Sequence, residues 1–498
     1  MRYISHKLVF AACACLVLLL PMHGVAQTVV VQPYIQPGDG RLLTGSDVKA
    51  VCWWTDQQPG DFIVEYQMPG SGVRSVKPAR VTLDFAALKT APKLDAELKG
   101  EKVPQPKEQD QHYFKYTAYL EALPFNTDVK YHVKLGNNVI RAATFRTRAT
   151  ADKSVRCIMV GDMAYGMAQE KTIAYQIGMQ KPDFLVALGD IVYPSGRLNQ
   201  YMNHYWSTYN NVTQPSAKTG APLMATIPFY PLLGNHDVSA KLPAVPDALA
   251  AYYVFCPPKG GPGEGPWVTQ LGKDTAVAAK FRAATADSYP NLDAYSFDYG
   301  PAHIVVLNVN KGMATDAPAF RQWLRDDLMA TKATWKIVCY HMPAFHSSTN
   351  HYTDQQVRPL QPLFEECSVD LTFAGHVHNY QRTVPLKFAT DGVKDKKGKV
   401  NGKFTLDTAF DGVKNTRANG VIHVVAGGGG ARLYGPAIDK TAPKIKKDHG
   451  DNYADYTAKM IVEEHSFVVL DLAPGRLDLR AIGLMGTELD RITITKGK

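Results

Sequence analysis

The chain has 498 residues, 45% hydrophobic and 20% charged, which is enough apolar material for more than one globular domain and excludes a disordered chain. Its formal net charge of +9 is spread along the sequence, which suits anionic small substrates and leaves no clustered basic footprint for nucleic acid. Seven cysteines over this length exclude a disulfide scaffold.

Residues 1–27 read as a secretory leader. Arg2 and Lys7 supply the charge, residues 8–20 the apolar stretch, and Val25, Ala26 and Gln27 a cleavage region of small residues. The apolar run is shorter than the ~20 residues a span needs, and no later stretch reaches that length. A secreted or periplasmic protein with no membrane span is expected. Removing the leader leaves Cys52, Cys157, Cys256, Cys339 and Cys367, an odd set for an oxidising compartment. Cys52, Cys157 and Cys339 fall inside apolar strand patterns and read as small buried hydrophobes. One bridge at most fits, between partners the sequence does not name.

Residues 28–148 read as an all-β sandwich domain. Strands are expected at 50–54, 62–66, 114–120 and 129–135, with 142–147 closing the module. Residues 89–111, rich in Lys, Glu, Gln and Pro, read as a polar insertion on an edge.

From residue 154 to 498 apolar strands alternate with helical stretches, an α/β layout. Strands are expected at 157–160, 183–188, 229–233, 295–299, 303–308, 335–340, 369–373 and 421–425, and closing strands at 467–472, 477–482 and 489–495. Helices are expected at 168–180 and 320–329. The Gly/Pro-rich stretch 257–266 reads as part of a rim or lid. The lysine-rich stretch 391–420 repeats Asp-Gly-Val-Lys from Asp391 and Asp411, which two hairpin-like turns explain better than a repeat architecture. Its Lys394, Lys396, Lys397 and Lys399 read as a solvated loop.

Five of these apolar runs end in polar residues able to ligate metal. They carry Asp162, then Asp190 with Tyr193, then Asn235 with His236, then His341, then His376 with His378. In an open α/β sheet the carboxyl ends of the strands face the ligand crevice. The donors are carboxylate, phenol, amide and imidazole, with no thiolate, which fits hard to borderline metals. A carboxylate can bridge two cations, and a phenolate suits Fe(III). Without His236 there are seven such residues, too many for one tetrahedral ion and right for two adjacent ones.

The set Gly161-Asp162, Gly189-Asp190-Ile191-Val192-Tyr193, Gly234-Asn235-His236-Asp237, His341 and Gly375-His376-Val377-His378 resembles the calcineurin-like metallophosphoesterase superfamily. Tyr193 narrows the resemblance to the purple acid phosphatases. The stretches 295–303, 322–324 and 327–328 are similar too, and the N-terminal module resembles the fibronectin type III-like domain of the family's large enzymes. The resemblance implies a four-layer α/β/β/α catalytic sandwich behind an all-β sandwich. It implies Fe(III) on Asp162, Tyr193 and His378, a divalent Zn, Mn or Fe on Asn235, His341 and His376, and Asp190 bridging them. His236 and His351 match positions that contact phosphate and assist the leaving group. The activity implied is acid phosphatase hydrolysis of small phosphate monoesters by metal-activated hydroxide. A phosphodiesterase or nucleotidase is the alternative on the same site, and a non-catalytic exported binding protein the alternative of another class. Departures from the pattern lie outside the ligand set: Ala164, the loop 342–348, Asn350 and Gln381.

Taken singly, His303 and His423 read as buried structural histidines and His346 as a surface residue. Gly427, Gly428, Gly429 and Gly430 read as permitting close backbone packing near the site.

Overall fold

A computed structural model describes residues 29–56, 58–90, 103–285, 288–394, 398–435 and 455–497. The expected leader at 1–27, most of the polar insertion, and Lys396 and Lys397 lie outside the described residues. Eight strands come first: β1 (Val29–Gln36), β2 (Asp47–Thr55), β3 (Phe62–Gln67), β4 (Arg74–Val76), β5 (Ala79–Phe85), β6 (Gln111–Leu123), β7 (Asp128–Leu135) and β8 (Asn138–Arg146). They form two antiparallel sheets, ordered β1-β2-β6-β5 and β4-β3-β7-β8. Alternation is clearest in β3, where Phe62, Val64 and Tyr66 are buried and Ile63 and Glu65 less so. Trp53 stacks on Tyr116 at 5.2 Å inside this sandwich. Strands β1, β4 and β5 were not legible in the sequence. Pro33 interrupts β1, and the register with β2 shifts between Val31 and Tyr34 around it. Strand β5 leaves Thr82 and Asp84 exposed.

The second part contains β9 (Val155–Val160), β10 (Phe184–Ala187), β11 (Phe229–Pro231), β12 (Ala294–Tyr299), β13 (Ala302–Leu307), β14 (Trp335–Tyr340), β15 (Leu371–Ala374), β16 (Tyr380–Thr383), β17 (Leu386–Lys394), β18 (Val400–Leu406), β19 (Ile422–Ala426), β20 (Thr457–Ile461), β21 (Ser466–Ala473), β22 (Arg476–Gly483) and β23 (Glu488–Thr495). Two mixed sheets result, β11-β10-β9-β21-β22-β23 and β12-β13-β14-β15-β19-β16-β20. In the first, β9, β10 and β11 are parallel; in the second, β13, β14, β15 and β19 are. These strands are buried along nearly their whole length, as parallel strands covered on both faces must be.

The sheets meet through aromatic stacks, Tyr230 on Phe297 at 3.8 Å and Phe184 on Tyr299 at 4.2 Å. Neighbouring residues of a strand point to opposite faces. Phe297 therefore faces the first sheet, while Ser296 faces outward and donates to Asp327 on the helix Pro318–Ala330 at 3.0 Å. That helix buries Phe320, Leu324 and Leu328 at i, i+4 and i+8. The helix Ala168–Gln180 buries Ile173, Ala174 and Ile177.

The stretch 257–266 runs along the edge strand β12, with Gly261 against Ala294 O and the Lys259 N–H donating to Asp39 O. The first Asp-Gly-Val-Lys repeat lies in the β17–β18 hairpin. The second is a single turn in which Asp411 Oδ1 accepts from the N–H groups of Val413, Lys414 and Asn415. Among the described residues no helix is long and apolar enough to cross a membrane.

Candidate metal centre

The loops that carry the candidate ligands leave the carboxyl ends of β9, β10 and β11 in one sheet and of β14 and β15 in the other. Backbone hydrogen bonds continue past the strands and lock the loops together. The N–H groups of Asp162, Met163 and Ala164 donate to Gly189, Asp190 and Ile191, and the Gly375 N–H donates to His341 O. Gly189, Gly234 and Gly375 stand where backbones nearly touch. A Cβ on Gly234 would lie 2.1 Å from Asp190 Oδ1, and one on Gly375 2.7 Å from Asp162 Oδ2. Asp162, Asp190 and His376 hold φ of 58°, 49° and 66°, the left-handed region that ordinary residues seldom occupy. The expected role of the four glycines also fits: Gly427 abuts Val377 O, Gly429 abuts Gly161 O and Gly430 abuts Met163 O.

The structure brings all seven candidate ligands together as two clusters sharing one carboxylate. In the first, Tyr193 Oη lies 3.1 Å from Asp162 Oδ1, 3.2 Å from Asp190 Oδ2 and 3.1 Å from His378 Nε2. In the second, His341 Nε2 lies 3.1 Å from Asn235 Oδ1 and 3.2 Å from Asp190 Oδ2. Ligand atoms of Asp190, His341 and His376 all fall within 4.8 Å of one another. The same oxygen, Asp190 Oδ2, thus faces both clusters.

The imidazoles are oriented from behind. His341 Nδ1–H donates to Leu188 O at 2.8 Å and His378 Nδ1–H to Arg432 O at 2.7 Å, which leaves each Nε2 lone pair aimed into the site. His376 is held by its Nε2, 3.2 Å from Asp354 Oδ2, and its buried Nδ1 has no hydrogen-bond partner among the described residues. An orphaned buried nitrogen beside a carboxylate and a second imidazole fits a cation ligand. The donor set fits two hard to borderline cations: four oxygen donors and three imidazoles, all buried except the half-buried Asn235.

Electrostatics favour positive charge beside Asp190. Burial alone would raise the Asp190 carboxyl, but His341 and His236 overcome it and hold it well below its ordinary value. Burial would lower His341, yet Asp190 beside it pushes it up to about 9. Burial and then the neighbouring His351 push His376 down to about 4. Asp237, pushed up to about 7 by burial and by Asp190, lies beneath the site, where it accepts from the N–H groups of Ile191 and Gly234.

His236 is fully buried beside the ligands. Its Nδ1–H donates to Pro194 O at 2.8 Å, and its Nε2 lies 3.8 Å from Asp190 Oδ2. His351 lies above His376, with ring centroids 4.1 Å apart. Its Nδ1 is 3.4 Å from Asp354 Oδ2 and its Nε2 3.2 Å from Tyr434 Oη.

Two of these neighbours were not found in the sequence. Asp354 joins His351, His376 and Lys311 Nζ, the last at 2.9 Å; its signal was an acidic residue three positions after His351. Tyr434 stacks on His378 at 4.1 Å and 10°; only its place after the glycine run pointed to it. His346 departs from expectation. It is buried, its Nδ1 accepts from the Ser348 N–H at 3.3 Å, and desolvation pushes it down to about 3. His303 and His423 are buried as expected: His303 lies between Asp298 and Asp327, and His423 lies 2.7 Å from Thr372 Oγ1.

Residues 156–380 match the family model for calcineurin-like phosphoesterases. Over 221 residues the chain is 28% identical to purple acid phosphatase 18 of Arabidopsis thaliana, covering 43% of this chain and 40% of that one. Over 456 residues it is 23% identical to probable inactive purple acid phosphatase 27 of the same plant, covering 84% and 64%. The chain thus spans less than two thirds of the length of either relative. Among solved structures, the purple acid phosphatase PPD1 from yellow lupin (Lupinus luteus) seeds superposes with a TM-score of 0.61 at 18% identity, over 93% of this chain and 74% of that one. Residues 156–380 are thus similar to calcineurin-like phosphoesterases, and the chain has the fold of a purple acid phosphatase, a mixed-sheet α/β part behind an N-terminal antiparallel β-sandwich. Metallophosphoesterases of this family bind two metal ions.

Proposed function

We propose that the protein is an exported acid phosphatase that hydrolyses small phosphate monoesters at a dinuclear metal centre. The observation that carries the reading is Asp190 Oδ2, 3.2 Å from Tyr193 Oη on one side and 3.2 Å from His341 Nε2 on the other. A bridging carboxylate needs that position. On this reading Asp162, Tyr193 and His378 would hold Fe(III), and Asn235, His341 and His376 would hold a divalent Zn, Mn or Fe.

When bound, the two cations supply Lewis acidity, towards water as nucleophile and towards the phosphoryl oxygens. The chain does the rest. His236, fixed through Nδ1 to Pro194 O, presents Nε2 to the anion. Asp354 stands behind His351 and keeps a proton on its Nδ1 side. His351 Nε2 then passes a proton to the leaving alkoxide, with Tyr434 Oη beside it. The leader-like residues 1–27 support export.

The test is a visible absorption spectrum of the purified protein, with metal analysis on the same sample and Tyr193→Phe as control. The expected result is a charge-transfer band in the wild type that the variant loses, together with turnover of monoesters faster than of diesters. A colourless protein holding two other metals would reduce the reading to a general metallophosphoesterase. Full metal with no turnover would place the chain with its relative named as probably inactive.

A further inference from the structure

Strands β1 and β2 of the sandwich lie against the segment that follows the short helix Ala251–Val254 of the phosphoesterase part. Tyr34 Oη donates to Val254 O at 2.9 Å, and Trp54 Nε1 donates to that hydroxyl at 3.2 Å. The Cys256 N–H donates to Gln36 Oε1 at 3.3 Å. These bonds hold residues 254–256 in fixed register on the sandwich. At the centre of the contact Cys52 Sγ faces Cys256 Sγ at 3.8 Å, with both residues buried and 204 positions apart in the chain.

We propose that, when the protein folds in an oxidising compartment, Cys52 and Cys256 join as a disulfide that staples the sandwich to the phosphoesterase part. A disulfide bond is about 2.05 Å long, so rotation of the two side chains must bring the sulfurs roughly 1.75 Å closer. Neither backbone has to cross the interface, because the hydrogen bonds beside the pair already hold it together.

The oxidant is the disulfide of a thiol–disulfide oxidoreductase or of a small disulfide such as oxidised glutathione. One cysteine, as thiolate, attacks that disulfide and forms a mixed disulfide, releasing the first oxidant thiol. The second cysteine displaces the other sulfur, forming the Sγ–Sγ bond and releasing the second thiol. Two protons and two electrons pass from the cysteines to the oxidant, which ends as two thiols.

Burial pushes the Cys52 thiol well above its usual value, so little thiolate is present once the core has closed. The bond therefore forms during folding. The link closes a loop of 204 positions, a long one, which restricts the unfolded chain accordingly. The remaining cysteines Cys157, Cys339 and Cys367 stay as thiols, which accounts for the odd number.

The test uses the full chain recovered from an oxidising compartment. Free thiols are alkylated under denaturing conditions without reductant, and the protein is then digested and its peptides weighed. The expected result is one linked pair carrying Cys52 and Cys256, two hydrogens lighter than the sum of its parts, with Cys157, Cys339 and Cys367 alkylated. Alkylated Cys52 and Cys256, or either one linked to a different cysteine, would overturn the proposal.

Discussion

His351 lies between Asp354 and Tyr434, where on the proposed reading a leaving group would depart. Its loss is therefore expected to spare nucleophilic attack and to impair departure. His351→Ala should lower turnover of an alkyl phosphate by ~10²–10⁴-fold, the usual span for a positioned general acid. Nitrophenyl phosphate, whose leaving group needs little protonation, should lose much less. Equal losses on both esters would rule out proton delivery by His351. The seven candidate ligands were legible from the sequence because each follows a short apolar run and a ligand is recognised by type and place. Asp354 and Tyr434 were not, because they reach the site from loops by a side-chain contact that no periodicity encodes. His346 misled for the same reason: a polar residue in a Ser/Thr-rich loop reads as solvated until the fold covers it.

At the scale of elements, the parallel strands were readable because burial on both faces makes them continuous apolar runs, as in Phe184–Ala187 and Leu371–Ala374. The edge and short strands β1, β4 and β5 were not, since Pro33 and alternating polar residues erase the pattern. What the strands deliver depends on glycine where they end. Gly234 has no room for a methyl group beside Asp190 Oδ1 and the Asp190 backbone N, at 2.1 and 2.2 Å. Gly234→Ala is expected to push the β10 and β11 loops apart. The cost is ~1–3 kcal/mol of stability, as for other overpacked cores. Thermal unfolding with metal analysis checks this, the second cation being lost first. Unchanged stability and full metal content would show that the loops can yield.

Over the whole molecule the sandwich is joined to the phosphoesterase part by a buried charge cluster as well as by apolar contact. Arg148 Nε donates to Asp47 Oδ1 at 2.8 Å, Lys49 Nζ meets Asp47 Oδ2 at 2.6 Å, and Arg148 Nη1 also donates to Asp298 O at 3.2 Å. Arg148→Met leaves Asp47 with one cation in place of two, and a loss of ~3–5 kcal/mol is expected from denaturant unfolding. A loss below ~1 kcal/mol would show that the guanidinium is dispensable. Burial alone would raise the Asp47 carboxyl, but Lys49 and Arg148 more than offset it and hold it below its ordinary value. A carboxyl depressed in the folded state stabilises above its unfolded value near ~3.9 and loses that contribution as pH falls through the folded value. The Asp47 contribution should therefore be lost only in acid below that value, and Arg148→Met should lose less over the same range.

The interlocked glycine loops have a further consequence, for timing. With Gly161, Gly189, Gly234, Gly375 and Gly427 all wedged against neighbouring backbone, movement of one ligand-bearing loop is expected to disturb the next. Two sheets would have to give way together for a bound ion to leave. Retention at such a centre would depend on loop opening as much as on affinity: a cation taken up during folding is expected to exchange slowly, and a later competitor to wait on that opening.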